Sequence, residues 1–230
     1  MKFFKKLFIF IFIILVIGIS LVTFLGYTMY KNAINTVSLN DKITRIMSDE
    51  HYVLLDDISD DFKNAIISIE DHRFYTHKGI DIISLCRAIV TNLKTQELSQ
   101  GGSTITQQLC KNMYFTQEKQ FTRKIAEVFL SFDLEKNYSK DKILELYINT
   151  IYFGDGYYGI GEASTGYLKK TPKDLTLDES SLLAGLPNAP SAYSPTKNIK
   201  LAKERQKKVL RAMVEYEYIT PEEMNKITNQ

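Results

Sequence analysis

The chain has 230 residues, a formal net charge of +2, two cysteines and no tryptophan. This length accommodates one membrane anchor and one domain of ordinary size, and a hydrophobic fraction of 44% is typical of a packed core. Three of the 29 basic residues lie at the extreme N-terminus, which leaves 26 against 27 acidic residues and argues against a nucleic-acid-binding protein.

The first predicted element is a membrane-spanning helix over residues 7–27, which are almost wholly apolar and uncharged. A helix of this length extends about 31 Å, close to the ~30 Å hydrocarbon core of a bilayer. The lysines before it predict a cytoplasmic N-terminus. A cleaved signal peptide is the alternative, with Gly18 and Ser20 at the cleavage site, but the apolar run continues to Leu25, and this length favours a retained anchor.

Residues 28–54 are polar and mixed, and we predict a stalk or linker there, between an anchor over 1–27 and a domain over 55–230. Apolar residues at helical spacing then predict a series of helices. The first begins after Ser59 or Asp60, the second spans 82–98, and the third begins after a cap at Ser103. The remaining predicted helices span 121–134, 140–151, 162–168, 178–186 and 199–216. Because no run of residues alternates between apolar and polar for long enough to form a central sheet, we predict an all-α fold.

Cys86 and Cys110 are too few for a disulfide scaffold, so we expect buried free thiols, with one disulfide as the alternative.

Glu70 ends the first of these predicted helices, at the edge of its apolar face. A carboxylate held there is partly desolvated and can accept the proton of a sugar hydroxyl. From position alone, an exposed glutamate at a helix end is the commoner interpretation. The next residue, Asp71, can orient a neighbouring group or bind a cation, and His77 is more often a hydrogen-bonded structural residue than a ligand.

The segment 103–112 combines hydroxyl and amide side chains at the start of a helix. The amides and the dipole of a helix N-terminus can bind an anion, the side chains of Gln107 and Gln108 suit sugar hydroxyls, and Lys111 adds a cation. A capped surface helix would have the same composition.

Arg123, Lys124 and Glu127 lie within one turn of the next helix, opposite its apolar stripe. An ordinary set of helical ion pairs, worth about 0.2–0.5 kcal/mol each, has this spacing. A diphosphate site in which Glu127 holds two cations has the same spacing, so both interpretations stay open on these residues alone.

These segments form an ordered set. They are EDHRFYTHKG (70–79), GSTITQQLCKN (102–112), RKIAE (123–127), KILELYIN (142–149), YFG (152–154) and LLAGLP (182–187). Their order and spacing resemble the peptidoglycan glycosyltransferases, the family-51 transglycosylases that polymerise lipid II, over about residues 55–195. One segment would be weak evidence, whereas several in family order are specific.

The resemblance implies a lysozyme-like helical domain after the anchor, with Glu70 as the general base and Glu127 as a second catalytic carboxylate. It implies a set of substrate-binding residues: Ser103, Thr104, Gln107, Gln108, Lys111, Asn112, Arg123 and Lys124. It also implies supporting residues around them, namely Asp71, Phe74, His77, Glu145 and Asn149.

The activity that this resemblance implies is inverting transfer of a lipid-linked glycan strand to the 4-hydroxyl of lipid II, by a monofunctional enzyme without a transpeptidase domain. A lysozyme-like enzyme that cleaves peptidoglycan and a non-catalytic, membrane-tethered assembly factor are the alternatives. The expected partners are lipid II, the lipid-linked strand, the membrane and other cell-wall synthesis proteins, but no nucleic acid. We expect no cofactor and no protein metal site, so that Mg²⁺ or Mn²⁺ would act only through the pyrophosphate. The domain is expected outside the cell membrane, on a single anchor.

Overall fold

The structure, a computed structural model, describes residues 2–95, 101–115 and 121–229. Its helices are α1 Lys2–Thr36, α2 Leu39–Met47, α3 Asp60–Glu70, α4 Ile82–Thr95, α5 Ile105–Tyr114, α6 Phe121–Asn137, α7 Lys140–Ile148, α8 Gly159–Leu168, α9 Leu177–Gly185, α10 Pro190–Tyr193, α11 Pro195–Glu215 and α12 Pro221–Thr228. Two short antiparallel strands, β1 Tyr152–Gly154 and β2 Tyr157–Tyr158, form a hairpin. The all-α prediction is confirmed.

The N-terminal helix α1 is long and apolar enough to cross a membrane, with a mean hydropathy of 3.1 in its most apolar stretch. Most of its side chains before residue 26 are exposed, as expected of a surface that faces lipid. The helix extends nine residues beyond the predicted end of the anchor at Tyr27. One apolar N-terminal helix therefore fits a membrane anchor, but it continues into the domain.

The last part of α1 packs closely on α6. A Cβ atom at Gly26 would lie 2.5 Å from the Cβ of Ile125, so the two helices approach more closely than any other residue at Gly26 would allow. One turn later the Tyr30 ring stacks on Phe129, and the Tyr30 hydroxyl donates a hydrogen bond to Asp133.

The segment predicted as a stalk is helical and packed. Ser38 caps α2, with the backbone N–H of Asp41 donating to its Oγ at 3.1 Å, and Ile43 lies in the main core. Residues 28–54 thus differ from an extended linker, because their few apolar side chains meet partners on distant helices. The division into anchor, stalk and domain remains a prediction.

The core lies around α3, whose Phe62 and Ile66 are fully buried. Helix α3 packs against α9 and α11, and α5 packs against α6 and α7. These contacts bring the C-terminal end of α3 close to α5 and α11, and the site is built there.

Several helix boundaries differ from their predictions. The cap of α5 is Thr104 rather than Ser103, and α4 ends at Thr95, with residues 96–98 of the predicted helix outside the described residues. Helix α11 begins at Pro195, before the predicted start at Ile199, and passes through a non-helical Asn198. Of the two free cysteines, Cys110 is buried as expected, whereas Cys86 is exposed.

Glu145 and Asn149 tie α7 to the chain that precedes α3. The Glu145 carboxylate accepts hydrogen bonds from the Tyr52 hydroxyl and from the backbone N–H of Leu55, the latter at 2.8 Å. The Asn149 side chain exchanges two hydrogen bonds with the backbone of Val53, both at 2.8 Å. Both residues therefore support the fold from outside the site.

The first prediction concerns Glu145. Burial opposes ionisation of this carboxyl, but hydrogen bonds from Lys142, Tyr52 and Leu55 outweigh burial and lower its pKa. A carboxyl with a lowered pKa in the folded state stabilises the protein above its ordinary pKa, and this contribution is lost as the pH falls through the folded-state value. We expect Glu145→Gln to lower the free energy of unfolding at pH 7 by about 1–3 kcal/mol.

Denaturant unfolding in detergent between pH 7 and pH 3 measures this contribution. The difference in free energy of unfolding between wild type and Glu145→Gln should shrink as the pH falls. Glu204→Gln, at an exposed position of α11, serves as the control. Parallel curves at every pH would contradict the assignment.

Candidate active site

A cavity of about 680 Å³ opens between the end of α3, the starts of α5 and α6, and one face of α11. Most of the predicted site residues line it: Glu70, Asp71, Ser103, Thr104, Gln108, Lys111, Arg123, Lys124 and Glu127. The two predicted catalytic carboxylates and the predicted cations therefore share one trench.

Glu70 sits at the end of α3 with its side chain only 13% exposed. Its Oε2 accepts a hydrogen bond from Gln108 Nε2 at 2.8 Å, and its Oε1 lies 3.9 Å from Arg205 Nη2. A carboxylate held by an amide and near a guanidinium has a fixed position in the cavity, from which it can act as a general base.

Glu127 is almost completely buried and is shared by two cations. Its Oε1 accepts from Arg123 Nε, and its Oε2 accepts from Lys124 Nζ, both at 2.9 Å. Lys124 Nζ also donates to Ser103 Oγ at 2.7 Å. One negative charge between two positive charges leaves a net positive cluster, and Lys111 on α5 adds to it at the cavity wall. Such a cluster can stabilise an anion.

The start of α5 is fixed by the residues that follow α3. Asp71 Oδ2 accepts from the backbone N–H of Ile105 at 3.0 Å and lies 2.9 Å from His77 Nε2. Thr104 Oγ1 donates to the carbonyl oxygen of Gly79 at 2.6 Å. Gly79 itself has φ +85, a left-handed conformation that favours glycine. These bonds hold the 70–79 and 102–112 segments together.

Several predicted substrate contacts have other roles in the structure. Thr104 and Gln107 form a capping box, in which each accepts a hydrogen bond from the other's backbone N–H. The N-terminal amides of Ile105 and Gln107 are therefore occupied by Asp71 and Thr104 rather than open to an anion. Asn112 is exposed and does not line the cavity.

Two predicted supporting residues lie behind the cavity wall. Phe74 is fully buried in the main core, with Lys140 Nζ 4.4 Å from the centre of its ring. His77 is buried against Asp71. Both stabilise the segment that carries Glu70, and neither reaches the trench.

The basic face of α11 was not predicted from the sequence. Arg205, Lys208 and Arg211, three residues apart, line the same cavity on the Glu70 side. The spacing of three on a helix was visible in the sequence, but the packing of α11 against α3 was not. Without that packing, the row resembles any solvated helix face.

A stacked aromatic pair also lines the cavity. His72 stacks on Tyr216 with ring centroids 4.2 Å apart and an interplanar angle of 8°, and Arg87 Nη1 lies 3.3 Å from His72 Nε2. Burial, reinforced by the Arg87 charge, lowers the pKa of His72. This imidazole is therefore neutral near pH 7.

The described part of the chain has no group of three or more His, Cys, Asp or Glu side chains placed to hold a metal ion. Both carboxylate oxygens of Glu127 are already occupied by cations. The Glu127 carboxylate is therefore already paired with cations of the protein itself.

Known proteins resemble this chain over most of its length. The transglycosylase family model matches residues 39–214. A Cupriavidus necator protein named as a transglycosylase is 47% identical over 175 residues, which are 76% of this chain and 75% of that protein. Penicillin-binding protein 1A of Neisseria lactamica is 43% identical over 202 residues, which are 87% of this chain and 25% of that protein.

Penicillin-binding protein 4 of Bacillus subtilis is 40% identical over 191 residues, which are 82% of this chain and 31% of that protein. The chain thus spans about a quarter to a third of the length of these penicillin-binding proteins. Among solved structures, penicillin-binding protein 1A from Haemophilus influenzae matches 78% of this chain and 17% of its own, with 23% sequence identity and a TM-score of 0.45.

The second prediction concerns Glu127. Replacing it by alanine leaves two neighbouring cations without their shared acceptor, and we expect the free energy of unfolding to fall by about 1.5–3 kcal/mol. Denaturant unfolding in detergent measures this loss, and Asp60→Asn, which breaks the ion pair between the exposed Asp60 and Lys63, should change little. Equal effects of the two substitutions would contradict a structural role for Glu127.

Proposed function

This chain belongs to the transglycosylase family and is a peptidoglycan glycosyltransferase by that membership, and we propose that it polymerises lipid II into glycan strands. The donor is the growing lipid-linked strand, and the acceptor is the 4-hydroxyl of the GlcNAc of lipid II. The observation that carries the proposal is the shared cavity, in which Glu70 faces a cluster of cations around Glu127.

Glu70 is the general base in this proposal. The acceptor oxygen attacks C1 of the donor MurNAc while its proton moves to the Glu70 carboxylate. The bond between C1 and the diphosphate oxygen breaks, and its electron pair leaves with the polyprenyl diphosphate. Attack from the face opposite the leaving group inverts C1, so an α-linked donor gives a β-1,4 link.

The cation cluster stabilises the leaving diphosphate. Lys111, Arg123 and Lys124 present positive charge to the cavity, and Glu127 fixes the positions of the last two through hydrogen bonds of 2.9 Å. Cations that are already held in place need no rearrangement as negative charge develops on the departing group. Glu127 is therefore proposed to act through the cations that it positions.

The acceptor is proposed to occupy the other side of Glu70. Arg205, Lys208 and Arg211 line that side, where their charge suits the diphosphate and carboxylates of a second lipid II molecule. Gln108, which reaches the trench from α5, can donate to a sugar hydroxyl with the second N–H of the amide group that binds Glu70.

We propose that α1 anchors the protein in the cell membrane, with a cytoplasmic N-terminus and the domain outside. Helix α4 also presents a row of exposed apolar side chains: Ile82, Ile83, Ile89, Val90 and Leu93. A surface of this kind suits contact with lipid, and substrates with polyprenyl tails would reach the cavity from the bilayer. Contacts with other cell-wall synthesis proteins are part of the proposal.

The third prediction tests the base. Glu70→Gln keeps the size of the side chain but cannot accept the proton, and we expect polymerisation of lipid II to fall by about 10²- to 10⁴-fold. Purified full-length protein in detergent is incubated with lipid II, and the glycan chains are separated by gel electrophoresis. Glu204→Gln, on the exposed face of α11, is the matched control and should retain activity.

Two results would contradict the proposal. If neither the wild type nor Glu70→Gln produced polymer, the proposed reaction would be contradicted. Release of soluble fragments from finished peptidoglycan by the wild type would favour a cleaving enzyme, for which the cation cluster has no diphosphate to stabilise.

The fourth prediction concerns divalent ions. We propose that Mg²⁺ or Mn²⁺ acts only as a counter-ion of the substrate diphosphate, because both carboxylate oxygens of Glu127 are already paired with Arg123 and Lys124. Treatment with a chelator, followed by dialysis, should leave the unfolding temperature unchanged, and added metal should affect only the rate with lipid II. A lower unfolding temperature after chelation would point to a protein metal site.

A further inference from the structure

The buried hydroxyl of Tyr147 is connected to the proposed base through one intervening side chain. Tyr147 on α7 is fully buried, and its hydroxyl donates to Gln108 Oε1 at 3.1 Å. The other end of the same amide, Gln108 Nε2, donates to Glu70 Oε2 at 2.8 Å. The three residues come from three helices, α3, α5 and α7, and form one continuous path.

The chemistry of these groups fixes the direction of every bond in the path. An ionised carboxylate only accepts, so the amide must turn its NH₂ group toward Glu70. The carbonyl end of the amide then faces Tyr147, which must donate. Burial, together with the negative charges of Glu70 and Asp71, raises the pKa of Tyr147 well above its ordinary value, so the hydroxyl keeps its proton and remains a donor throughout the working pH range.

We propose that Tyr147 is a positioning residue for the transfer reaction: its hydroxyl fixes the amide of Gln108 so that the NH₂ group faces Glu70 and holds that carboxylate in its ionised form. The inference rests on the proposed function, because it assigns to Tyr147 the control of the general base. Tyr147 does not line the cavity, so it acts through Gln108 rather than on the substrate.

Loss of the hydroxyl would free the amide to rotate. With the bond from Tyr147 absent, Gln108 can turn its carbonyl oxygen toward Glu70, and two facing acceptors favour the protonated carboxyl. Other charged groups next to Glu70 or on the wall of its cavity are Asp71, Lys111 from α5, and Arg205, Lys208 and Arg211 from α11. None of them is altered in a Tyr147 variant, so a change in the pH profile would come from the amide.

The test is Tyr147→Phe, which deletes one oxygen atom and keeps the buried ring. We expect kcat for lipid II polymerisation by the full chain in detergent to fall roughly tenfold, with little change in KM and with the acidic limb of the pH–rate profile moved to higher pH. Tyr167→Phe is the matched control, because the Tyr167 hydroxyl donates to the carbonyl oxygen of Phe153 at 3.1 Å, away from the cavity. It should leave kcat and the pH limb unchanged.

A double-mutant cycle separates positioning from packing. In a Gln108→Leu background, Tyr147→Phe should cause no further loss of kcat, because the side chain that links it to Glu70 is gone. The positioning role would be overturned if the losses of kcat in the two variants were additive. It would also be overturned if Tyr147→Phe lowered the unfolding temperature but left the acidic limb of the pH–rate profile where it is in the wild type. Absence of polymer from the wild type would overturn the proposed function and this inference with it, whereas an active wild type matched by an equally active Tyr147→Phe would overturn the inference alone.

Discussion

The carboxylate of Asp71 holds the site together. It accepts the first backbone N–H of α5 and contacts His77, so the residue directly after Glu70 determines where α5 begins. Since side chains three and six residues further along α5 are Gln108 and Lys111, this bond also determines what faces Glu70. A helix N-terminus has donors that need partners, and a buried carboxylate without partners would be costly. The N–H group at the start of α5 and the Asp71 carboxylate therefore satisfy each other's hydrogen-bonding requirement.

Charge in the molecule is arranged locally rather than in bulk. The chain after the N-terminal lysines is almost neutral, yet cations from α5, α6 and α11 line the trench. Glu127 makes one of these clusters possible, because two cations this close would repel each other without a shared acceptor. The cluster remains net positive, which suits a substrate whose leaving group is a diphosphate, and it explains why the composition alone gives no sign of an anion site.

Helix α6 connects the site to the apolar helix α1. One of its faces carries Arg123, Lys124 and Glu127, and another receives the end of α1 at Ile125 and Phe129. The close approach at Gly26 leaves little freedom between the two helices. The trench therefore has a set orientation relative to the apolar helix, as the proposed reaction on lipid-linked substrates requires.

The helical character, the apolar N-terminal helix and many of the groups that line the trench were predictable from the sequence, because apolar spacing, uncharged length and the ordered segments are properties of neighbouring residues. Glu70, Lys111 and Glu127 were predicted in this way. Only the tertiary structure decided which polar groups are free, since a hydrogen bond between distant segments leaves no local pattern. The fold bonded the backbone N–H of Ile105 to Asp71, packed residues 28–54 on the domain, brought Arg205 from α11 to Glu70, and placed the Tyr147 hydroxyl behind Gln108.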